Sequence, residues 1–576
     1  MTETPAAHEI SVLETLLVLD ADFGGTVQAL AAGKFAFWIG SGVSRDRFDM
    51  LPELIVKVLN FIRNRINNGA DNCPYDAAIT KSFELSGLSN EEQDQVDKSL
   101  DASQWPVIDK LKQQLSQRYG EFLNIRILGQ PNDLLVREGI DVINTYGNPA
   151  VVPDTEHYCL AALVIEGVIT DIASANWDGL IEKAYGELTN NQAGLAVCVS
   201  SSQLQDIGPQ PKLLKFHGCA VLARQNPEEF HDLLVARSSQ IAGWGSTPDT
   251  GAISAYLKVL VGQSRTMMLG LSVQDFNIQQ LFHEASATLG WEWNSDNPAF
   301  LFSEDKLGGN QDALLENMYP GIYDGENRDE IGGKSVIRAF AKALLLALLL
   351  QVYTQKVIHL AARAGLPDGE ELGGWVEQGL NVLRNKVAAL DPKDPINRCE
   401  FAKQLQFFAS EMGRLIKFGP QNGVADAYHP ISHSIAPSID SDPDMDSNGL
   451  PQVGALLALM GNGELSNLWS VKVKSATNGL PIGFNVDTTS ASTALYLAAN
   501  DAAANQLFAQ GTIDELDDII LVHSIAAPSR YARSARRQGG TRTGKPGLRE
   551  FGMKQLIEDS GTTDDLVASF RQEAIL

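Results

Sequence analysis

Short apolar runs alternate with helix-length amphipathic segments over the first half of the chain. The run at 35–39 (FAFWI) is wholly apolar and ends at Gly40, as a buried strand does where it enters a tight loop. Strands separated by helices predict βαβ units, and therefore an α/β fold with a Rossmann-like, doubly wound parallel sheet. Further strands are predicted at 168–173, 195–199, 213–216, 266–271 and 299–302, and helices at 156–166, 178–188, 253–261 and 277–287.

Two regions depart from this alternation. Residues 54–150 have helical spacing without strand alternation and predict a helical insertion that forms a cap or an oligomer surface. Glycine and aspartate interrupt the pattern near residue 305, which we take as the end of a first domain, 1–305. The rest, 306–576, predicts a mixed, largely helical region. Its helices are expected at 336–364 and 375–390 and an acidic linker at 440–448.

Charge and cysteine content narrow the function classes. The chain has 71 acidic and 45 basic side chains, so its net charge of −26 repels nucleic-acid phosphates. Five cysteines lie far apart without a C-x-x-C pair, which favours a reducing cytoplasm and predicts no metal site. Residues 1–22 lack the basic start of a signal peptide. The apolar run at 343–350 is far shorter than the roughly 20 residues that cross a membrane, so we expect a buried helix.

A glycine-rich loop follows the first predicted strand, at 40–44 (GSGVS). Gly40 and Gly42 permit positive φ and leave the backbone N–H groups around Val43 open to a pyrophosphate. Ser41 and Ser44 can donate further hydrogen bonds. Such a loop alone is more often a plain tight turn, so it needs support from other segments.

Asn176 and Asp178 come directly after the predicted strand 168–173, where a doubly wound sheet presents side chains to its ligand. Asp178 also precedes a helix, and aspartate favours the capping position there. Asn176 lies too early to act as that cap. The residues by themselves leave both a capping and a chemical role open for Asp178.

His217 follows the predicted strand 213–216, and Gly218 lets the backbone turn so that the imidazole faces a cleft. Its near-neutral pKa suits proton transfer. The other eight histidines fit a structural role, among them His157, expected to pack at the start of its helix, and His283.

The segment at 270–277 (GLSVQDFN) ends another predicted strand. Gly270, Ser272 and Asp275 can contact a ligand there, or form a plain strand-to-helix turn with Asp275 as the helix cap. The two roles are compatible.

Four segments in this order, GSGVS, SANWDGLIE, KFHG and GLSVQDFN, resemble the sirtuin-like family, in the branch found in bacterial antiphage defence proteins. The resemblance covers about residues 25–303. The family has Thr-Thr where this chain has Ser174-Ala175, and Tyr where it has Trp177. The resemblance implies that the chain binds NAD+, with the loops 40–44 and 270–275 around the dinucleotide.

The resemblance also implies the catalytic roles. It implies that Asn176 orients a water beside the nicotinamide ribose, Asp178 contacts the carboxamide end and His217 acts as a general base on a ribose hydroxyl. Deacetylating sirtuins usually carry a four-cysteine zinc ribbon beside the peptide groove, which this chain lacks. We therefore expect an NAD+ glycohydrolase, with NAD+ as substrate and no metal.

Alternatives from other classes remain open. The chain could be an NAD-dependent protein deacylase or ADP-ribosyltransferase, or a non-catalytic nucleotide-sensing module. By analogy with the defence branch, 306–576 would regulate the first domain. The partners implied are a homo-oligomer and a protein of the same operon, either a HerA-type ATPase, an Argonaute-like protein or a nucleotide sensor, with no membrane.

Two stretches in the second half resemble known ion- and phosphate-binding motifs but lack a residue that each motif requires. The stretch at 444–449 begins like an EF-hand loop, but Ala455 stands where the bidentate Glu should close the calcium shell. The stretch at 539–545 is spaced like a P-loop, but Pro546 replaces the Ser or Thr that holds magnesium. A basic run at 530–549 is either a solvated face or a contact for an anion, a nucleic acid or an acidic partner.

Overall fold

The computed structural model describes residues 6–67, 72–287, 291–367, 372–418, 427–445, 449–473, 483–489, 491–509, 511–514, 517–526, 528 and 547–576. Its first sheet has seven parallel strands in the order β3-β4-β2-β1-β5-β6-β7. These are β1 Phe35–Ile39, β2 Asp171–Ser174, β3 Ala196–Cys198, β4 Lys212–Lys215, β5 Arg265–Leu269, β6 Phe300–Ser303 and β7 Val336–Ile337. The predicted α/β fold with a Rossmann-like parallel sheet is confirmed.

Side chains of β1 alternate between two cores, because successive strand residues point to opposite faces. Phe37 packs in one core and Trp38 in the other. The strand lies between β2 and β5, so the chain crosses to opposite sides at this point and opens a crevice at the carboxyl ends of the strands. Helices cover both faces: Thr155–Ile165, Leu180–Leu188, Ser201–Gln205, Ser238–Gly243, Gly251–Gln263, Phe276–Ser286, Gly309–Met318 and Arg328–Lys334. Two short helices after β4, Ala220–Gln225 and Pro227–Phe230, pack instead against the insertion between β1 and β2.

The insertion between β1 and β2 is built of helices and turns in its described part, as its spacing predicts. Its core surrounds Trp105 and Phe83, whose rings meet edge to face 5.7 Å apart, and is shared with residues after β4 such as Phe230. Leu54, Tyr119 and Tyr146 of the insertion line the crevice, so the insertion covers it as a cap. Its helices are Leu51–Arg63, Pro74–Leu85, Asn90–Asp94, Ile108–Gln117, Tyr119–Leu123 and Val142–Tyr146.

The sheet continues beyond residue 305, where the sequence predicts the end of the first domain. Val336 and Ile337 pair with Phe302 and Ser303 as strand β7, so the expectation of a helix from residue 336 is wrong. The helix begins at Ala341 instead. Two β-branched residues are too few for strand alternation to be seen in the sequence.

The helix Ala341–Ala362 contains the apolar run at 343–350 and is 22 residues long. Length therefore does not exclude a membrane span, contrary to the sequence argument, but 78% of its apolar window is buried inside the protein. It packs in the same core as Phe37 and the helices Val12–Asp22 and Gly24–Ala31. Burial identifies it as a core helix.

A buried ion pair fixes this helix to the first sheet's helical layer. Lys356 Nζ lies 2.6 Å from Glu166 Oε2, and both side chains are fully buried. Glu166 also accepts hydrogen bonds from the Tyr428 hydroxyl and the Ile431 N–H.

The C-terminal region contains a second, mixed sheet, ordered β12-β11-β10-β9-β8. Strands β10, β11 and β12 are parallel, and β9 runs antiparallel to β8 and β10. The strands are β8 Ser470–Val473, β9 Gly483–Asp487, β10 Ser492–Ala498, β11 Ile519–His523 and β12 Arg549–Gly552. The helices after Ala341–Ala362 are Leu372–Ala388, Pro395–Phe418, Ala436–Ile439, Leu450–Leu465, Asp501–Ala509, Met553–Glu558 and Thr563–Ala574.

Most of the basic run and the P-loop-like stretch lie outside the described residues, as do 446–448 of the EF-hand-like stretch. Within the basic run, Arg549 is described, and it pairs with Asp518 inside the second sheet.

Candidate active site

A cavity of about 900 Å³ lies at the carboxyl ends of β1, β2, β4 and β5. This volume is near the upper end of the roughly 300–1,000 Å³ of small-molecule sites. The sheet loops, the helical insertion and the start of the helix Ala341–Ala362 all contribute to its wall. Residues 7–10 and 393–398 line it as well, so the site takes groups from both halves of the chain.

The glycines of the first loop serve a different purpose from the one expected. Neither Gly40 nor Gly42 has a positive φ. Instead, the loop packs backbone against backbone on Gly270, whose φ is +59°. A Cβ on Gly40 would lie 2.3 Å from the Gly270 oxygen, and one on Gly42 would lie 2.6 Å from the Gly270 Cα. Glycine is required here for the close approach of two loops.

The side chains of this loop point in different directions. Ser41 is exposed and Ser44 is buried, and both line the cavity. Val43 is buried in the hydrophobic core behind the loop. Its side chain is therefore not placed to contact a ligand in this cavity.

Ser44 is the centre of a buried hydrogen-bond network. Its hydroxyl lies 3.0 Å from Asp178 Oδ2 and 3.1 Å from His157 Nε2. The Asn176 Nδ2 group lies 3.4 Å from the same hydroxyl and donates to the Gly40 carbonyl at 3.1 Å. Four side chains from three separate segments thus form one polar floor.

The direction of these bonds follows from the His157 ring. Its Nδ1 accepts from the Asp154 N–H at 3.0 Å, so the proton of a neutral ring is on Nε2 and points to Ser44. Ser44 in turn donates its hydroxyl proton to Asp178. Burial lowers the pKa of His157 to about 4, which keeps the ring neutral near pH 7.

Asp178 lies just before the N-cap residue of the helix Leu180–Leu188, which is Gly179, and it bonds both to the helix start and to Ser44. Its Oδ1 accepts from the Leu180 N–H at 3.1 Å, at the start of a helix, while Oδ2 accepts from Ser44. The carboxylate also lines the cavity. Asn176 is 9% exposed and lines the cavity beside it.

His217 follows β4 and lines the same cavity, and Gly218 turns the chain there with a φ of +86°. Its Nε2 lies 3.2 Å from Asn277 Nδ2. Asn277 Oδ1 accepts from the Ile278 N–H, so the Asn277 amide donates and His217 Nε2 accepts. Burial lowers the pKa of His217, against the opposing influence of Asp275, and favours the neutral ring.

Lys215 explains how the segments after β2 and β4 are held together. Its side chain is 1% exposed and its Nζ lies 2.9 Å from Glu182 Oε1. The same ammonium donates to the Asp178 carbonyl. This lysine positions the loop that carries Asp178 relative to the loop that carries His217.

The fourth segment lies at the mouth of the cavity. Gly270, Ser272 and Asp275 all line it, and Ser272 is exposed. Asp275 stands at the N-cap position of Phe276–Ser286 but makes no side-chain capping bond. It accepts the hydroxyl of Tyr119 from the insertion instead, so the cap domain is tied to this loop.

Several groups that line the cavity were not predicted from the sequence. Tyr146 from the insertion stacks edge to face on Trp177, with ring centroids 5.3 Å apart. Glu156 is buried, and its Oε2 has no hydrogen-bond partner among the residues described. Burial raises the pKa of Glu156 to about 8, so this carboxyl is protonated at neutral pH. His157 was correctly placed at the start of its helix, but its contact with Ser44 spans 113 residues and left no local signal.

A family model of the SIR2-like domain matches residues 170–319. This range begins just before β2 and includes the two segments that carry Asn176 and His217, together with the loop after β5. The chain carries a SIR2-like domain. No curated protein matches the chain.

The sheet that contains the matched range also includes residues that precede it. Strand β1 and its glycine loop come from residues 35–44, and they complete the sheet between β2 and β5. SIR2-like domains bind NAD+, and the cavity lies at the switch point of the sheet, where doubly wound folds bind their ligands.

Proposed function

We propose that this chain is an NAD+ glycohydrolase, which converts NAD+ and water to nicotinamide, ADP-ribose and a proton. The single observation that carries the proposal is that Asn176 and His217 line one cavity of a SIR2-like domain. Cleavage of the N-glycosidic bond releases neutral nicotinamide and leaves an oxocarbenium-like ribosyl cation. The protein must mainly orient water and the ribose hydroxyls.

The orientation of Asn176 supports a role in positioning water. Its Nδ2 donates to the Gly40 carbonyl and lies within hydrogen-bond distance of the Ser44 hydroxyl. Its Oδ1 accepts no hydrogen bond from a described residue and is therefore available to a ligand or a water molecule. An Oδ1 in the cavity accepts one O–H of a water molecule, and the lone pairs of the water oxygen then face the ribosyl carbon. Asp178 acts through Ser44 as a positioning residue.

The neutral ring of His217 supports a role in proton transfer. Its Nε2 accepts from Asn277, so a ribose hydroxyl that takes the place of this amide would give its proton to Nε2. The nearby carboxylate of Asp275 stabilises the imidazolium that results, and its influence on the pKa of His217 opposes the larger effect of burial.

Arg45 is suited to the dinucleotide phosphates. It lines the cavity and, within the described part of the chain, forms no ion pair; its guanidinium lies 5.9 Å from the Phe340 ring. Anionic oxygens are the natural partners of such a group.

We propose further that NAD+ cleavage is regulated, as an NAD-depleting effector in antiphage defence. Lys342, Lys393 and Arg398 of the C-terminal region line the same cavity, so a movement of that region would change the site directly. A homo-oligomer or a protein of the same operon would supply the signal. The antiphage role rests on the resemblance alone.

The test is nicotinamide release from NAD+ by the purified chain, alone and with the products of its neighbouring genes. Asn176→Ala and His217→Ala should reduce the rate by roughly 10²–10⁴-fold, while His283→Ala, an exposed histidine on Phe276–Ser286, should not. An acyl-lysine peptide is added in a parallel reaction.

Release of nicotinamide and ADP-ribose without peptide supports the glycohydrolase. Release that requires the peptide or another acceptor would instead identify a deacylase or an ADP-ribosyltransferase. Binding of NAD+ with no release under any condition would refute catalysis and favour a nucleotide sensor.

A further inference from the structure

A second cluster of ionisable side chains lies in the second sheet. Asp501 begins the helix Asp501–Ala509, His523 ends β11 and Glu550 lies in β12. One donor atom from each residue lies within 4.8 Å of the other two. Their wide separation along the chain left no spacing pattern to find.

The topology of the sheet brings the three together. The helix Asp501–Ala509 connects the parallel strands β10 and β11 and packs on the face that carries Leu521. Leu521 pairs with Glu550 and His523 with Gly552, so His523 and Glu550 point to this same face. Gly552 has no side chain, so none from β12 lies beside His523 at this position of the register.

The distances suit ligands of one cation. Bonds of about 2.1 Å place neighbouring ligands of an octahedral ion about 3.0 Å apart and opposite ligands about 4.2 Å apart. His523 Nε2 and Glu550 Oε1 lie 2.8 Å apart, which is a neighbouring-ligand separation. The three ligand atoms lie within 4.8 Å of one another, so they would need to approach by only a small amount to bind the same ion.

His523 is not a fully satisfied structural histidine. Its side chain has no exposed surface, and its Nδ1 has no hydrogen-bond partner in the described part of the chain. The ring thus meets Glu550 through Nε2 and leaves Nδ1 without a partner there, and either nitrogen of a neutral imidazole can coordinate a metal ion. The preceding residue of β12, Arg549, points to the other face and pairs with Asp518, so its charge is directed away from Glu550.

We propose that Asp501, His523 and Glu550 bind one divalent metal ion of the Mn²⁺ or Zn²⁺ type. Two carboxylates favour a hard cation and an imidazole favours a transition metal, so the mixed set favours these ions over Ca²⁺. The site is separate from the NAD+ cavity and does not depend on the proposed NAD+ chemistry.

The experiment uses the full chain, stripped with a chelator and titrated with Mn²⁺ or Zn²⁺, with Ca²⁺ for comparison. Bound metal is counted by mass spectrometry of the elements after gel filtration, and bound Mn²⁺ is observed by electron paramagnetic resonance. We expect one ion per chain. Asp501→Asn, on a half-buried side chain, and His523→Gln should each weaken binding by at least about tenfold.

His359→Gln is the matched control, because His359 also pairs with a carboxylate, that of Asp440, at 2.9 Å. It should keep full binding. Absence of bound metal in the unmodified chain, or equal binding by Asp501→Asn, would overturn the proposal and leave His523 and Glu550 as a hydrogen-bonded pair. Circular dichroism establishes that each variant is folded, and Asp501→Asn carries the test if His523→Gln does not fold.

Discussion

Replacing Ser44 by Ala removes the hydroxyl that joins His157, Asp178 and Asn176. The His157 N–H and one Asp178 oxygen then lose their partner in positions that are 0% and 5% exposed. Each unpaired buried group costs about 1–3 kcal/mol, so we expect the two together to lower the free energy of unfolding by roughly 2–6 kcal/mol.

The same change should reduce NAD+ cleavage. Asn176 keeps its bond to Gly40 but loses the second contact that fixes its amide plane. A less well-oriented water lowers the rate, by an expected 10–100-fold, with a smaller effect on KM.

Urea unfolding and nicotinamide release are measured side by side. Ser41→Ala is the control for stability, since Ser41 lies in the same loop and is exposed. If Ser44→Ala unfolded at the same urea concentration as Ser41→Ala and kept the full rate, the network would have no part in fold or catalysis.

Three further predictions concern stability, pH and loop packing. Lys356→Met leaves the buried carboxylate of Glu166 without its cation and should lower the free energy of unfolding by about 3–5 kcal/mol. Adding Glu166→Gln should restore part of this loss, because the double variant has no buried charge at this position. An unchanged midpoint of urea unfolding in Lys356→Met would contradict the prediction. Burial lowers the pKa of His217, so the imidazole that acts as the base is already neutral at pH 7. We therefore expect kcat/KM to be level from about pH 7 upward and to fall only in acid. A fall above pH 7 would refute this role of His217. Gly270→Ala forces a Cβ to 2.6 Å from the Gly42 Cα at a φ of +59° and should abolish NAD+ binding in calorimetry, whereas Gly309→Ala, with open space around it, should bind normally.

The sequence alone determined the class of fold and the positions of several site residues. Apolar runs such as 35–39 and 266–271 are local, and a strand buried on both faces requires them wherever it lies in the sheet. The residues after such strands, among them Asn176 and His217, must reach the carboxyl edge. Both do line the cavity there.

Only the tertiary structure decided which other groups complete the site. His157 meets Ser44 across 113 residues, and Tyr119 meets Asp275 across 156. A helix start and an amphipathic insertion predict neither contact, because each depends on how separate elements pack. The glycines of the first loop are another example. Gly40 and Gly42 are required because Gly270 packs closely against them, and not because their own φ is positive.

The second half was the least predictable for the same reason. Strand β7 has two residues and gains its stability from pairing with β6, and Asp501, His523 and Glu550 meet only after three strands align. Local periodicity reports which face of an element is buried. It does not report which distant element covers that face, and in this chain that choice places the polar groups together.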